Sequence, residues 1–337
     1  MTEIELRPRD FILTKENLVF AVVSYVHEEG RILSFLRYVP EDSGFRKVNT
    51  EEAQEFLKNK FPEYLFYSRK FDANLHGVPV GDIKKILRPQ ERLQELLNSN
   101  ESELDDIERK VLKLAKIFSS NGISLNKIGV TGSVLIKNQN ENSDVDLVIY
   151  GAKNFMKART IVRELTVKGE LSKLSDALWM DAYERRKPSL SFDEFLRHEK
   201  RKFNKGAIFG TKFDIALIRD ESEILPDEKT YKKSGKIKIT AKVIDDKFAF
   251  DYPARYKISG EFSEVVSFTH TYVGQAETGE TIEVSGTIEE SCGEKRIVVG
   301  TTREAKGEYI KVVGGIIKLI SISFLNLLKF LLFFTGS

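Results

Sequence analysis

The sequence predicts a multidomain α+β chain, with an α/β core between a β-rich N-terminal extension and a C-terminal β-barrel or sandwich domain. Three observations point there. At 337 residues, the chain is too long for one ordinary compact domain. Between Glu101 and Asp220, helical periodicity alternates with short apolar strands. From Lys236 onward the apolar period falls to two, the spacing of a half-buried strand.

Residues 1–100 make the extension. Two β-rich runs, residues 18–26 and 31–39, flank the polar His27-Glu28-Glu29-Gly30 segment and read as a hairpin. Residues 51–60 read as a helix, followed by the aromatic-rich run 63–69. No catalytic constellation appears before Glu101. Residues 101–233 make the core. Leu104, Ile107, Val111, Leu114 and Ile117 recur at helical spacing, with acids at the start and Gly122 as the stop. A short strand ends at Val130, a second starts at Leu147, a helix runs from Lys153 to about Val167, and residues 212–220 form a third strand. Residues 234–313 make the C-terminal β domain. Ile237, Ile239, Ala241 and Val243 alternate with Lys236, Lys238, Thr240 and Lys242, and further β-rich runs fall at 264–269, 281–288, 296–299 and 308–313. Five or six strands are expected.

Residues 314–337 form a separate tail. Residues 316–334 hold 14 Ile, Leu or Phe in 19 positions, about the length of a bilayer span. Lys318, Ser321, Asn326 and Lys329 interrupt the run as a loose polar stripe, and on an insertion scale the opposing contributions nearly cancel. Three readings stay open: a membrane anchor, an amphipathic helix packed on the body or a partner, and a tail foreign to the folded unit. The N-terminus lacks a basic region followed by an apolar one, so a cytoplasmic protein is expected, with membrane association through 316–334 as the variant.

Composition narrows the function classes. Lys plus Arg number 53 against 51 Asp plus Glu, a net charge of +2. Any nucleic-acid affinity must therefore be local. The single cysteine, Cys292, forms no intramolecular disulfide and no structural zinc site.

The chemistry concentrates in residues 129–151. A strand ends at Val130, Thr131-Gly132-Ser133 turns, and after ten residues Asp144-Val145-Asp146 leads into the apolar Leu147-Val148-Ile149. Residues two apart on an extended chain share a face, so Asp144 and Asp146 point together. Neighbouring carboxylates repel unless a cation lies between them, and oxygen-only ligation suits Mg²⁺. A Gly-Ser turn lets backbone N–H groups and a hydroxyl approach a phosphate. A third carboxylate, Asp214, sits inside the apolar run Phe213–Ile218, where an unpaired charge is costly. Three such groups suit two metal ions and an in-line phosphoryl displacement.

This constellation of Gly132-Ser133, Asp144-Val145-Asp146 and a later-strand Asp214 resembles the polymerase-β-like nucleotidyltransferase superfamily, and the whole chain is similar to archaeal predicted nucleotidyltransferases. The core match covers about residues 101–220. The resemblance implies that Gly132 and Ser133 contact a nucleoside triphosphate, with Lys137 beside them. It implies that Asp144 and Asp146 bind two Mg²⁺ ions, and that Asp214 binds the second metal and helps activate the acceptor hydroxyl. The chain departs from the family pattern at Leu135-Ile136-Lys137-Asn138, where many members carry a small residue and then Gly.

Residues 184–205 hold eight Lys or Arg and four acids. In one reading Lys200, Arg201, Lys202 and Lys205 line the cleft and meet triphosphate or acceptor; in the other they are a solvated helix face with i,i+4 pairs. His198 has no partner at ligand spacing and is expected to cap or face solvent, while Trp179 and Tyr183 are expected to pack. The expected activity is Mg²⁺-dependent transfer of a nucleoside monophosphate from an NTP to a hydroxyl, releasing pyrophosphate. RNA or DNA ends, small molecules and protein side chains all remain open as acceptors. The rival reading is a catalytically inactive nucleotide- or RNA-binding protein, possible membrane tethering included.

Overall fold

Alternating apolar residues in the first ninety positions build an antiparallel sheet. The computed structural model describes residues 5–224, 229–301 and 305–314. Strands β1 (Phe11–Thr14), β2 (Val19–Val22), β3 (Arg31–Glu41) and β4 (Gly44–Lys47) precede helix α1 (Thr50–Lys60), then β5 (Leu65–Ser68), β6 (Ala73–Pro79) and β7 (Ile83–Leu87). Their order is β5-β6-β3-β2-β1-β7, with β4 on β3. The antiparallel β2–β3 pair, with Phe20 opposite Leu36, occupies the two runs that read as a hairpin. Helix α1 opens on a capping box between Asn49 and Glu52 and buries Ala53 and Leu57 against the sheet.

The second sheet holds the chemistry. Helix α2 (Pro89–Asn98), absent from the sequence expectations although Leu93, Leu96 and Leu97 have helical spacing, contributes Leu93 and Leu96 to its core. Helix α3 (Asp106–Ser120) starts on a capping box from Asp105 to Glu108, so Leu104, counted with the helical stripe, precedes the cap. Then follow β8 (Ile128–Val130), β9 (Val145–Tyr150), α4 (Ala152–Lys168), α5 (Asp176–Arg186), α6 (Phe192–Lys202), β10 (Lys205–Ile208) and β11 (Thr211–Ile218). The order is β10-β11-β9-β8. Only β9 and β11 are parallel among these pairs, with α4, α5 and α6 in the crossover between them. This parallel pairing sets the ends of β9 and β11 side by side.

The remaining strands are β12 (Lys232–Phe248), β13 (Ala254–Ile258), β14 (Glu264–Ser267), β15 (Thr281–Ser291), β16 (Glu294–Val299) and β17 (Tyr309–Gly314). Strand β12 pairs with β15 through its first part and with β13 through its second, the register shifting after Val243. That double use closes β12-β13-β14-β16-β15 into a ring, with β17 added on β15. Inward-facing Val243, Tyr256, Val265, Ile282, Val284 and Ile297 fill the middle.

The units share apolar contacts. Leu33, Phe35, Phe71 and Leu75 of the N-terminal part pack with Val266, Phe268 and Val298 of the ring. Phe250, in the β12–β13 loop, lies against Phe155 of α4 with ring centroids 5.3 Å apart. No helix of the described residues is long and apolar enough to cross a membrane. The hydrophobic run 316–334 lies outside the described residues.

Candidate active site

The turn after β8 is shaped by the carboxylate beside it. Thr131 donates its backbone N–H to the Asp146 carbonyl at 2.9 Å. Gly132 has φ +69°, and a Cβ there would stand 2.4 Å from Asp146 Oδ2. Glycine is needed twice over, for the left-handed backbone and for the space. The Ser133 carbonyl accepts the Asn138 N–H at 2.9 Å. The Asn138 side chain clasps the Phe45 backbone, accepting its N–H at 3.0 Å and donating to its carbonyl at 2.9 Å. Leu135 is buried against Phe11, Val19 and Tyr38, with Ile136 at the edge of the same cluster. The departure from the family pattern thus has a physical reason: large residues at 135 and 136 dock the turn on the N-terminal sheet.

The three carboxylates fall at the start of β9 and midway along β11. Asp146 and Asp214 are register partners in the parallel pair, and Asp144 immediately precedes β9. The Lys212 ammonium lies 2.7 Å from Asp144 Oδ2 and 3.3 Å from Asp214 Oδ2. Lys212 is two residues before Asp214 on one strand, so the same alternation that aims Asp214 inward aims Lys212 with it. On β10, Lys205 stands opposite Asp214, its Nζ 3.7 Å from Asp214 Oδ1 and 2.7 Å from Glu199 Oε2.

Electrostatics differ between Asp146 and Asp214. Burial, reinforced by the charges of Asp214 and Asp144, pushes the Asp146 carboxyl up to about 6 against the pull of Lys212 and Arg9. Burial works against the Asp214 charge too, but Lys205 and Lys212 outweigh it and hold the group below its usual range. Lys212 is held charged in turn by Asp214 and Asp144 despite its burial.

A divalent cation suits this donor set. The ligands are oxygen-only, Asp146 lacks full charge compensation, and Asp214 Oδ1 is buried without a hydrogen-bond donor. Among the described residues the acids do not yet close on one point in a metal-holding cluster. The Lys212 ammonium stands between Asp144 and Asp214 and holds part of the charge that cations would otherwise supply.

Other expected contacts separate. Lys205 lines the cavity beside Asp214. Lys202 does not: its ammonium is buried, donating to Glu199 Oε1 at 2.5 Å and to the Thr271 carbonyl at 2.7 Å. Burial opposes the Glu199 charge, but Lys202, Lys205 and Arg186 around it hold the carboxyl far below its usual range. Lys202 is therefore a structural cation joining α6 to the ring, and the expectation that it meets phosphate is corrected. Lys137 is exposed, 3.3 Å from Glu95 of α2, and, like Gly132 and Ser133, does not line the cavity. Lys200 is exposed near Asp176, and Arg201 pairs with Glu280 and the Gln275 carbonyl. His198, expected to cap or face solvent, is buried, accepting the Val312 N–H at Nε2 and facing the Glu194 carbonyl with Nδ1. Trp179 and Tyr183 pack on Phe195.

A cavity of about 320 Å³ opens beside Asp146 and Asp214. Arg9, Tyr25, Tyr252 and His270 line it, residues that sequence reasoning missed. Their positions carry no local signal, because only the tertiary fold brings residues 9, 25, 252 and 270 together. Lys212 was findable, since Lys-Phe-Asp at 212–214 has the spacing that selected Asp144 and Asp146.

A family model described as "Nucleotidyltransferase domain" matches residues 111–243. The uncharacterized protein MJ1086 of Methanocaldococcus jannaschii is 43% identical over 339 residues, covering 92% of this chain and 99% of the relative. The chain belongs to the polymerase-β-like nucleotidyltransferases. No solved structure matches it. As a polymerase-β-like nucleotidyltransferase, it carries the family match from within α3, through the Gly132 turn and all three carboxylates, into β12.

Proposed function

We propose that the protein is a Mg²⁺-dependent nucleotidyltransferase that moves a nucleoside monophosphate from an NTP to a hydroxyl acceptor. The observation that supports this best is that Asp146 and Asp214 stand side by side on parallel strands, with Asp144 just ahead and bridged to Asp214 by Lys212, beside a glycine turn with no room for a side chain. Asp144, Asp146 and Asp214 would hold the divalent ions, with Gly132 and Ser133 offering backbone and hydroxyl to the triphosphate. When bound, the ions supply charge neutralisation and Lewis-acid polarisation of the transferring phosphoryl group. Lys205 and Lys212 keep Asp214 ionised and aligned, and Asp214 in turn orients the acceptor O–H. The acceptor oxygen then bonds to the α-phosphorus, the bond from that phosphorus to the bridging oxygen breaks, and pyrophosphate leaves with the electron pair. The hydroxyl proton passes to solvent.

The test is pyrophosphate release and transfer of label from α-phosphate-labelled NTPs, with and without Mg²⁺. Asp144→Asn, Asp146→Asn and Asp214→Asn are each expected to lower turnover by about a thousandfold or more, with near-ultraviolet circular dichroism unchanged. NTP binding without pyrophosphate release in the unaltered protein would instead select the inactive nucleotide-binding reading.

A further inference from the structure

We infer that the cavity beside Asp146 and Asp214 is the acceptor site, and that it takes a compact anionic hydroxyl compound rather than a nucleic-acid end; this rests on the nucleotidyltransferase reading above. Position comes first. The cavity is lined by Asp146, Asp214 and Thr131, but not by Gly132, Ser133 or Asp144. Thr131 opens the turn, so the cavity runs from the turn's edge past Asp146 and Asp214 and away from Gly132, Ser133 and Asp144. In an in-line displacement the incoming hydroxyl and the leaving pyrophosphate occupy opposite sides of the α-phosphorus. A site on this side belongs to the acceptor.

Size and walls come next. A volume of about 320 Å³ is at the small end for small-molecule sites. The walls come from all three parts of the chain. Tyr252 and His270, from the closed ring, stack with centroids 4.6 Å apart and planes at 26°, giving a flat face. The Arg9 guanidinium, from the N-terminal part, reaches His270 Nδ1 at 3.4 Å.

Charge gives the class. Arg9, Arg185, Arg186 and Lys205 line the cavity against the carboxylates Asp146, Asp214 and Asp251. Asp251 is held by Arg219 at 3.0 Å, while Arg185 is held by Asp181, and Arg186 and Lys205 by Glu199. The lining keeps a positive excess of one, four cations against three carboxylates, which favours a phosphate or carboxylate on it.

The ring itself argues against a polymer. Its order β12-β13-β14-β16-β15, closing on β12 with β14 parallel to β16, is that of an OB-type barrel. Such barrels bind oligonucleotides across their second and third strands and adjoining loops. Here Val266 of the third strand is buried with Phe35 and Leu33 of the N-terminal sheet. The loop after the first strand carries Phe250 and Tyr252 into the catalytic cavity. The outer lysines of β12 are also paired, Lys238 with Glu283 and Lys236 with Glu308. The barrel has become a wall of the active site.

The test incubates the full chain, Mg²⁺ and α-phosphate-labelled NTPs with three fractions from an extract of the source organism: small-molecule filtrate, RNA and protein. Label is expected to enter a compound from the part of the filtrate that binds an anion exchanger before reaction. Phosphatase pretreatment of that fraction abolishes labelling for a phosphate ester and spares it for a carboxylate. Label in RNA or protein, or in a compound the exchanger does not retain, overturns the acceptor inference and leaves the transferase reading standing. Label in no fraction with any NTP overturns both. With the active fraction in hand, Arg9→Gln and Tyr252→Leu are expected to raise the acceptor KM by about tenfold and to leave the NTP KM within about twofold. A matching rise in NTP KM would place the nucleotide in the cavity and overturn the assignment.

Discussion

Asp146 is an acid that the fold keeps from ionising freely, with its carboxyl pushed up to about 6 by burial and by the neighbouring Asp214 and Asp144 charges. Its unfolded value lies near 3.8. Between these two values the folded protein binds the extra proton, so metal-free stability falls as pH rises from about 4 to about 6 and then levels off. Asp146→Asn removes that loss. It is expected to stabilise the metal-free protein at pH 7 by about 1–3 kcal/mol, with the gain vanishing near pH 4, read by thermal denaturation across pH. Lys212→Met is expected to act in the opposite direction, lowering the metal-free midpoint because Asp144 and Asp214 lose their shared cation. Added Mg²⁺ should then stabilise the Met variant more than the parent. The acids of this site were legible from spacing alone: Asp-Val-Asp before an apolar strand fixes two carboxylates on one face. The cation between them was equally legible, but an acid in an apolar run draws attention as an anomaly, whereas a lysine at a strand's start does not.

Turns and helices at the site depend on neighbours far away in sequence. The glycine turn is fastened by Leu135 in its cluster with Phe11, Val19 and Tyr38, and by the Asn138 clasp on Phe45. Leu135→Ala is expected to destabilise the protein by about 2–4 kcal/mol and to raise the NTP KM, measured together by denaturation and pyrophosphate-release kinetics. An unchanged KM would mean that the turn keeps its shape without that anchor. Helix α6 shows why Lys202 departs from both readings of the basic stretch. Phe195, His198, Glu199 and Lys202 fall at i, i+3, i+4 and i+7, the stripe of a buried face, and all four are buried. Polar residues on that stripe hid it from a search for apolar periodicity. Its buried charge is workable because Glu199 meets Lys202, Lys205 and Arg186 together.

Across the whole molecule, the site exists where three parts of the chain meet. The strands of the ring were readable from alternation, but their closure was not, since the double pairing of β12 depends on a register shift after Val243. Nor was the cavity readable, because its lining gathers residues from Arg9 to His270. Phe250 is the joint between ring and core, packed on Phe155 and beneath the Arg159 guanidinium at 3.9 Å. Phe250→Ala is expected to cost about 3 kcal/mol and to expose the β12–β13 loop to limited proteolysis, with cleavage sites mapped by mass spectrometry.

The docking of Leu135 on β1, β2 and β3 bears on how this protein can be cut down for bench work. A fragment spanning only the nucleotidyltransferase domain match, 111–243, would lose the floor beneath the glycine bend and two sides of the chamber. Such a minimal piece would retain every acid and yet lack the scaffold that makes them a machine.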